Sequence, residues 1–595
     1  MAGDSTFQWS ALDGALLREA TLRGLAPRRR ILEDDDASLR MLFGDEPPLA
    51  LISFDTPGIQ RFIFGVQRPV DIEGGSRIVE AFVARDPASL DEDQRPYSLK
   101  HVLRAAAGIA WIYLGGGGGL LLSARGDAEE IIDTIESLLR DATGGTLTSV
   151  AAALPVWRGD LRSSDATGVV NDSELAALLG ARVAPSGYVA RLASLDALRR
   201  RRRGELATSS IDLPSAASRR RCAACGERAG TRESTKADLL CRSCAARRTV
   251  GARAKQGLDQ AKSYEVMVEG LDQGAEVSDA RIAVLYADGA NFGAAFRQVA
   301  DPVEHAALSA AVDQAMRHAV EKATERALDE WPELREGRLR YQTPLRGGDD
   351  IVLILPARAA LVAALRLING FETRLTDACD TAGLDRPELA RLGLGVGIAV
   401  ADWMFPVQFS LEWARKLMVS AKRCLRGGLG EHCDDGARSA VDFTILRATE
   451  PLSVEIDTWR RGLAAQRSNE QGAATRSRDR LTRRPYTASG LREIARRAEA
   501  LGRHVPPAQI HAMADAVGVG RAVSRNLWRA QHARSQDGDG WAAYRKALDL
   551  SLEDVGEALW SRAPGSDETA EWSTDYLDQV DLVALRPSRR KEVTV

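Results

Sequence analysis

Aromatic side chains are scarce: nine tyrosines and twelve phenylalanines serve 595 residues, and few of them stand beside the arginine clusters. A stacking platform for single strands needs rings spaced along a basic groove, so that class of binder is poorly supported. Excess positive charge is missing too. Eighty Lys and Arg against 83 Asp and Glu leave a formal charge of −3, which excludes a uniformly basic nucleic-acid binder. No apolar run reaches the ~20 residues of a membrane-spanning helix, so no membrane association is expected. The start Met1-Ala-Gly-Asp-Ser-Thr-Phe7 lacks the basic and apolar segments of a secretory leader. A cytoplasmic location is expected, where disulfides are rare.

Cysteine is sparse, with seven in the chain, but four fall into two pairs, Cys222-Ala-Ala-Cys225 and Cys241-Arg-Ser-Cys244, with fifteen residues between the pairs. That is the spacing of a four-cysteine structural zinc site. Four thiolates close the coordination shell and leave no water position, so one Zn²⁺ there would be structural. Two disulfides are the alternative and require an oxidising compartment. Cys379, Cys424 and Cys433 read as buried or incidental thiols. Arginines Arg219–Arg221 and Arg247–Arg248 flank the cysteines. The run Arg199–Arg203 reads as a solvated helix face or linker, with a phosphate-backbone contact as the alternative. Arg476, Arg478, Arg480, Arg483 and Arg484 lie in a Ser/Gly/Thr-rich stretch ending at Pro485, which reads as a linker into the last domain. Beyond it, Ser489–Leu501, Pro506–Val517 and Ala543–Leu559 have helical apolar spacing.

The chemistry concentrates in residues 341–355, where Gly347-Gly348-Asp349-Asp350 opens the strongly apolar strand Ile351–Leu355. Gly and Asp are ordinary turn residues, yet a third carboxylate has a matching context. Asp288 ends the strand that starts at Arg281 and runs into a glycine-bearing turn. Two strand ends can therefore converge. Adjacent oxygen donors suit hard divalent cations, here two Mg²⁺ or Mn²⁺. Such a pair can activate an attacking hydroxyl and stabilise a leaving pyrophosphate. Downstream, the strand Gly395–Val400, a loop with Pro406 and an amphipathic helix, Leu411–Lys422, follow. Lys422 can reach a triphosphate as a point charge; the alternative is a solvated lysine.

The order Tyr286-Ala287-Asp288-Gly289, Gly347-Gly348-Asp349-Asp350, then strand, loop and a helix ending Ala421-Lys422 resembles the catalytic palm of the large polymerase-like subunit of type III CRISPR effector complexes. That subunit is a relative of GGDEF-type nucleotide cyclases. The segments Phe54–Phe64 and Asp71–Glu80 are similar to the opening of that family's first palm. The resemblance implies an α+β fold: two ferredoxin-like palms joined by a small zinc module, with a C-terminal helical domain. The expected domains are a helical extension at 1–48, a first palm at 49–205, the zinc module with basic linkers at 206–262, a second palm at 263–450 and the helical domain at 451–595. The first palm's hairpin, Tyr113–Leu122, carries five glycines and no acidic pair. It reads as a degenerate copy that presents a second nucleotide, or as glycines serving close strand packing.

By the same resemblance, Asp288, Asp349 and Asp350 are catalytic and hold the metals. Gly289, Asn291, Phe292, Gly347, Gly348 and Lys422 bind the donor nucleotide. The Gly74-Gly75-Ser76 stretch reads as a turn opening a helix over Ile78–Val83, with Gly75 and Ser76 near the second nucleotide. The implied substrate is ATP and the implied products are cyclic oligoadenylates used as antiviral second messengers. Guide RNA, target RNA, smaller effector subunits or a second copy of the chain are the implied partners. Alternatives are an RNA-binding scaffold subunit and a stand-alone cyclic (di)nucleotide synthase using another NTP. Many members begin with an HD-type nuclease domain. This chain starts its first palm near residue 49 and contains no His-Asp dipeptide, so a built-in DNase is not expected.

Overall fold

The computed structural model describes residues 7–24, 36–92, 94–105, 108–161, 187–209, 220–233, 238–257, 264–268, 280–329, 341–426, 436–446, 455–462, 464–468, 474–535, 540–550, 559–562 and 572–585. Arg219 and Cys433 lie outside them, as do parts of the expected N-terminal extension and zinc module.

Strands β1 (Leu49–Asp55), β2 (Ala110–Gly115), β3 (Gly118–Ala124) and β4 (Val150–Val156) form an antiparallel sheet in the order β2-β3-β1-β4. Helices α1 (Trp9–Leu22) and α2 (Asp36–Phe43) precede it; α3 (Ile59–Phe64) and α4 (Pro69–Phe82) follow β1, and α5 (Ala128–Thr143) follows β3. Alternate residues of β1 point to opposite faces. Leu49 and Leu51 join the core with Leu12 and Leu16 of α1, whereas Ile52 and Phe54 pack with Phe62, Ile72 and Ile78. Helix α6 (Tyr188–Ser209) lies along β4 and carries the arginine run. There Arg199 donates to Ser53 and Phe54, Arg202 pairs with Glu136 at 3.0 Å, and Arg200 and Arg201 pair within the helix. Arg199 and Arg202 are thus tied to the first palm, whereas Arg200, Arg201 and Arg203 form an exposed helix face.

A small antiparallel pair, β5 (Arg232–Glu233) and β6 (Leu239–Leu240), and helix α7 (Arg242–Gly257) surround the four cysteines. The second sheet contains β7 (Arg281–Ala290), β8 (Gln342–Gly347), β9 (Asp350–Pro356), β10 (Gly393–Asp402) and β11 (Ala440–Ile445), in the order β11-β10-β7-β9-β8. A later strand extends the β11 edge. The antiparallel core β10-β7-β9-β8 repeats the order β4-β1-β3-β2 of the first sheet. Each is the βαββαβ arrangement of a ferredoxin-like palm. Helices α8 (Phe292–Phe296) and α9 (Pro302–Asp329) follow β7, and α10 (Ala360–Thr381) packs along α9. On the opposite face α11 (Val407–Leu425) lies across β10, where Gly395 leaves room for the Lys422 stem.

The stretch read as a linker is built instead into the C-terminal region. Residues Ala474–Arg480 are strand β13, which pairs with β12 (Ala464–Ser468), and β14 (Tyr486–Thr487) extends the second sheet. The short strands β15 (Ser561–Arg562) and β16 (Trp572–Ser573) complete the small sheet, so the helical C-terminal part also contains strands. Arg484 is buried, pairs with Asp578 at 2.8 Å and stacks 4.0 Å over the Phe443 ring of β11. A buried guanidinium with its charges satisfied is why this arginine is no surface linker residue. Helices α12 (Ala488–His504), α13 (Pro507–Val519), α14 (Arg521–Arg534), α15 (Gly540–Ala547) and α16 (Tyr576–Ala584) enclose a separate core around Trp541 and Trp560. Of the expected helix Ala543–Leu559, residues 551–558 lie outside the described residues. Among those described, no helix is long and apolar enough to cross a membrane.

Candidate active site between two palm hairpins

The β8–β9 turn places Asp349 at its tip and Asp350 at the start of β9, directly opposite Asp288 on β7. The side chains of Asp288 and Asp350 thus sit as cross-strand neighbours. The Gly289 amide donates to the Asp349 carbonyl at 3.2 Å, which fixes the turn against β7 and engages the amide of a residue that the family resemblance offered to the donor nucleotide. Tyr286, two residues before Asp288 and on the same strand face, donates its hydroxyl hydrogen to Asp350 Oδ1 at 3.1 Å. Gln60 of α3 donates in turn to the Tyr286 oxygen. Lys422 is not solvated: its side chain is 16% exposed and its ammonium pairs with Asp288.

This concentration of negative charge perturbs the acids. Burial, followed by the charge of Asp288, pushes Asp349 up to about 6 and Asp350 up to about 7. Burial and the same carboxylates also hold the Tyr286 hydroxyl protonated, well above its ordinary value. Hard oxygen donors carrying uncompensated charge are the chemistry a divalent cation relieves, so the donor set fits Mg²⁺ or Mn²⁺.

The glycine-rich hairpin of the first palm faces this turn. Gly116 and Gly348, both in the left-handed region at φ 62° and 59°, meet tip to tip. A Cβ on Gly348 would lie 3.1 Å from the Gly116 Cα. Backbone approach this close admits only glycine. Gly347 packs on Gly116 as well. Below the contact lies a cavity of about 280 Å³ shared by Gln60, Ser76, Glu80, Gly117, Arg346 and Asp350. On the other side of the hairpin a second cavity, about 320 Å³, is lined by Phe292, Phe296, Val312, His305, Ser309 and Asp349. Burial pushes His305 down to about 4, and its Nδ1 lies 3.1 Å from the Tyr188 hydroxyl.

The remaining sequence-derived positions divide. Ser76 lines the inter-palm cavity, but the turn expected at Gly74-Gly75-Ser76 is the middle of α4, which begins at Pro69. The amides there are used within the helix, and Gly75 faces Arg247 and Ile63. Asn291 sits at φ 67° before the five-residue helix α8, and its side chain donates to the Arg391 carbonyl at 3.1 Å. Phe292 presents its ring to the second cavity and packs on Phe371. Gln60, Tyr286 and the Glu80–Arg346 pair (2.8 Å) were not anticipated. Only Tyr286 had a signal, its parity with Asp288.

Cys222, Cys225, Cys241 and Cys244 converge, their sulfurs all within 4.8 Å of one another. None is in a disulfide, and the Cys225–Cys241 sulfurs are 4.0 Å apart. Tetrahedral zinc with ~2.3 Å arms separates its sulfurs by about 3.8 Å, so the cluster could hold one zinc ion. Hydrogen bonding from Cys244 holds Cys241 down at about 5. Cys379 is a buried thiol as expected. Cys424 is buried too, but disulfide-bonded.

Residues 281–428, which contain all three carboxylates and Lys422, match the family model for the second palm domain of Cas10/Cmr2. These residues are similar to a Cas10-type palm. Over the whole chain, solved structures similar to this one include a Csm1–Csm4 cassette in complex with cA4 and one in complex with pppApA. Each is 12% identical, with 96% of this chain and 72% of that chain covered and a TM-score of 0.49. Csm1 of T. onnurineus is 12% identical, with 91% and 70% covered and a TM-score of 0.48. No curated protein matches the chain.

Proposed function

We propose that the protein is a nucleotidyltransferase that joins ATP into cyclic oligoadenylates in antiviral defence, as part of a type III CRISPR effector. The observation that carries the reading is the Asp288–Asp350 cross-strand pair with Asp349 at the hairpin tip, inside the segment that matches the Cas10/Cmr2 palm. The adenine base and the cyclic product are what the family resemblance implies. Divalent cations held by Asp288, Asp349 and Asp350 would lower the pKa of an acceptor hydroxyl and neutralise a leaving pyrophosphate. Tyr286 orients Asp350 through its hydroxyl, and Gln60 orients Tyr286. Lys422 balances Asp288 and would turn toward a triphosphate when one is bound. The apolar cavity around Phe292 and Phe296 suits the base of one nucleotide. The inter-palm cavity with Ser76 suits another, held where its hydroxyl is effectively intramolecular. Zn²⁺ at the four thiolates is structural, and guide RNA, target RNA and smaller effector subunits are the expected partners.

Mass spectrometry of products after incubation with each NTP and Mn²⁺ tests the reading. Cyclic oligoadenylates from ATP alone are expected. Another base, or no product with intact protein and the cognate complex, overturns it. Metal analysis should return about one zinc per chain.

A further inference from the structure

The four-cysteine module does not hang from the fold; it grips the two helices that line the inter-palm cavity. Arg247, three residues beyond Cys244 on α7, is buried. Its guanidinium lies 3.1 Å from the Cys244 sulfur, donates to the Phe62 carbonyl of α3 and covers the Phe62 ring at 4.8 Å. One turn further along, α7 crosses α4 with backbone against backbone. A Cβ on Gly74 would fall 1.8 Å from the Arg247 carbonyl oxygen, and one on Gly251 would fall 1.9 Å from that of Val70. Beside this crossing Asp71 is fully buried and held by Arg248, with one contact at 2.7 Å. A buried carboxylate of this kind is strongly tied to its partner, because losing the partner leaves an uncompensated charge.

Both gripped helices continue into the site. From α3, Ile59 and Gln60 line the inter-palm cavity, and Gln60 reaches Asp350 through Tyr286. From α4, Ser76 and Glu80 line it, and Glu80 pairs with Arg346 beside Gly347. Two continuous struts therefore join the thiol cluster to the acidic hairpin of the other palm. A module that served only to fold residues 220–257 would need neither the Gly–Gly crossing nor a guanidinium shared between a ligand sulfur and a carbonyl of α3.

We propose that the four-thiolate module is a positioning device for the inter-palm site, in which Arg247, Arg248 and Gly251 set the places of α3 and α4 and so align Gln60 and Ser76 with Asp350. The inference deepens the functional reading above and rests on it for the identity of the bound nucleotide. Its test does not require turnover. Amide hydrogen exchange is followed by mass spectrometry across the full chain in four samples: the zinc-loaded protein, the same protein after chelation, the Arg247→Met variant and the Gly251→Ala variant. Expected is a rise of about tenfold or more in exchange at residues 59–64, 76–83 and 345–350, as well as at 241–257, with the C-terminal core unchanged. Re-adding Zn²⁺ alone should restore the chelated sample. In the variants that retain zinc, KM for ATP should rise by roughly tenfold with a smaller change in kcat, since placement and not chemistry is disturbed. Exchange that rises only within 220–257 overturns the proposal. If either variant fails to fold, the chelation arm alone decides. A wild-type protein that makes no nucleotide product would refute the functional reading while leaving the exchange result to decide the coupling.

Discussion

In the first palm the turn between β2 and β3 carries Gly117 and Gly118 where the second palm's turn between β8 and β9 carries Asp349 and Asp350. The registers make the equivalence firm, since Gly115 pairs with Gly118 as Gly347 pairs with Asp350. Asp55 at the end of β1 sits where Asp288 sits on β7, and it lines the inter-palm cavity. The first palm has kept one carboxylate of three. It has also closed around the loss: a Cβ on Gly118 would lie 2.9 Å from the Phe54 carbonyl oxygen, and one on Gly117 would lie 2.0 Å from Ile59 Cδ1. Two copies of one fold can thus divide the work, one keeping an electrostatically costly acidic turn and the other a neutral turn that packs against it.

This division of labour is tested most severely by making the second hairpin resemble the first. Replacing Asp349 and Asp350 with Ala should lower pyrophosphate release from ATP by at least about a hundredfold, because the proposed ligands of the charge-stabilising cations would be gone. Melting should show no loss of stability. Turnover at the wild-type rate would remove the hairpin from the mechanism.

Crowding the first hairpin should cost less. Gly117→Val places a β-branched residue at φ 82° and against Ile59, and turnover is expected to fall by roughly tenfold through misplaced reactants. Calorimetry should still detect ATP binding at the second palm, at reduced stoichiometry. Unchanged turnover would reduce the first palm to a buttress.

The acidic turn also leaves a pH signature. Asp350 titrates at about 7 in the folded protein and near 4 when unfolded. The folded state therefore binds the extra proton between those values, and stability falls as pH rises from about 4 to 7. In metal-free protein, Asp350→Asn should be more stable than wild type by about 1–2 kcal/mol at pH 8 and indistinguishable below pH 4. Chemical denaturation at both pH values checks the sign. Metal-dependent turnover of the wild type should rise with pH through about 6 to 7, as Asp349 and Asp350 lose their protons.

The smallest effect is expected where the palms touch through solvent-accessible charge. Arg346 and Glu80 are 42% and 33% exposed in their side chains, and such pairs contribute about 0–1 kcal/mol. Arg346→Ala should raise KM for ATP only a few-fold, which steady-state kinetics would resolve. A loss as large as that of the acidic pair would make Arg346 part of the chemistry.

Local sequence pattern was enough to specify the acidic turn, the strand ending at Asp288 and the two Cys-x-x-Cys pairs. In each, residue type and spacing already single out the candidate groups, whereas the pair of palms was implied by the family resemblance. What the glycines and arginines do emerged only on folding. Gly74 and Gly75 look like a turn because glycine's freedom is what a local reading can see, whereas α4 needs Gly74 to pass α7 at backbone distance. Gly116 and Gly348 are hairpin glycines in sequence, but their positions are set by each other, across more than two hundred residues. The arginines at 476–484 look like a solvated linker until Asp578 and Asp581 arrive to neutralise Arg484. Lys422 likewise looks free until Asp288 is brought to it. Long-range contacts of this kind leave no periodicity or spacing in the chain, because the partner that gives the residue its role is supplied only by folding.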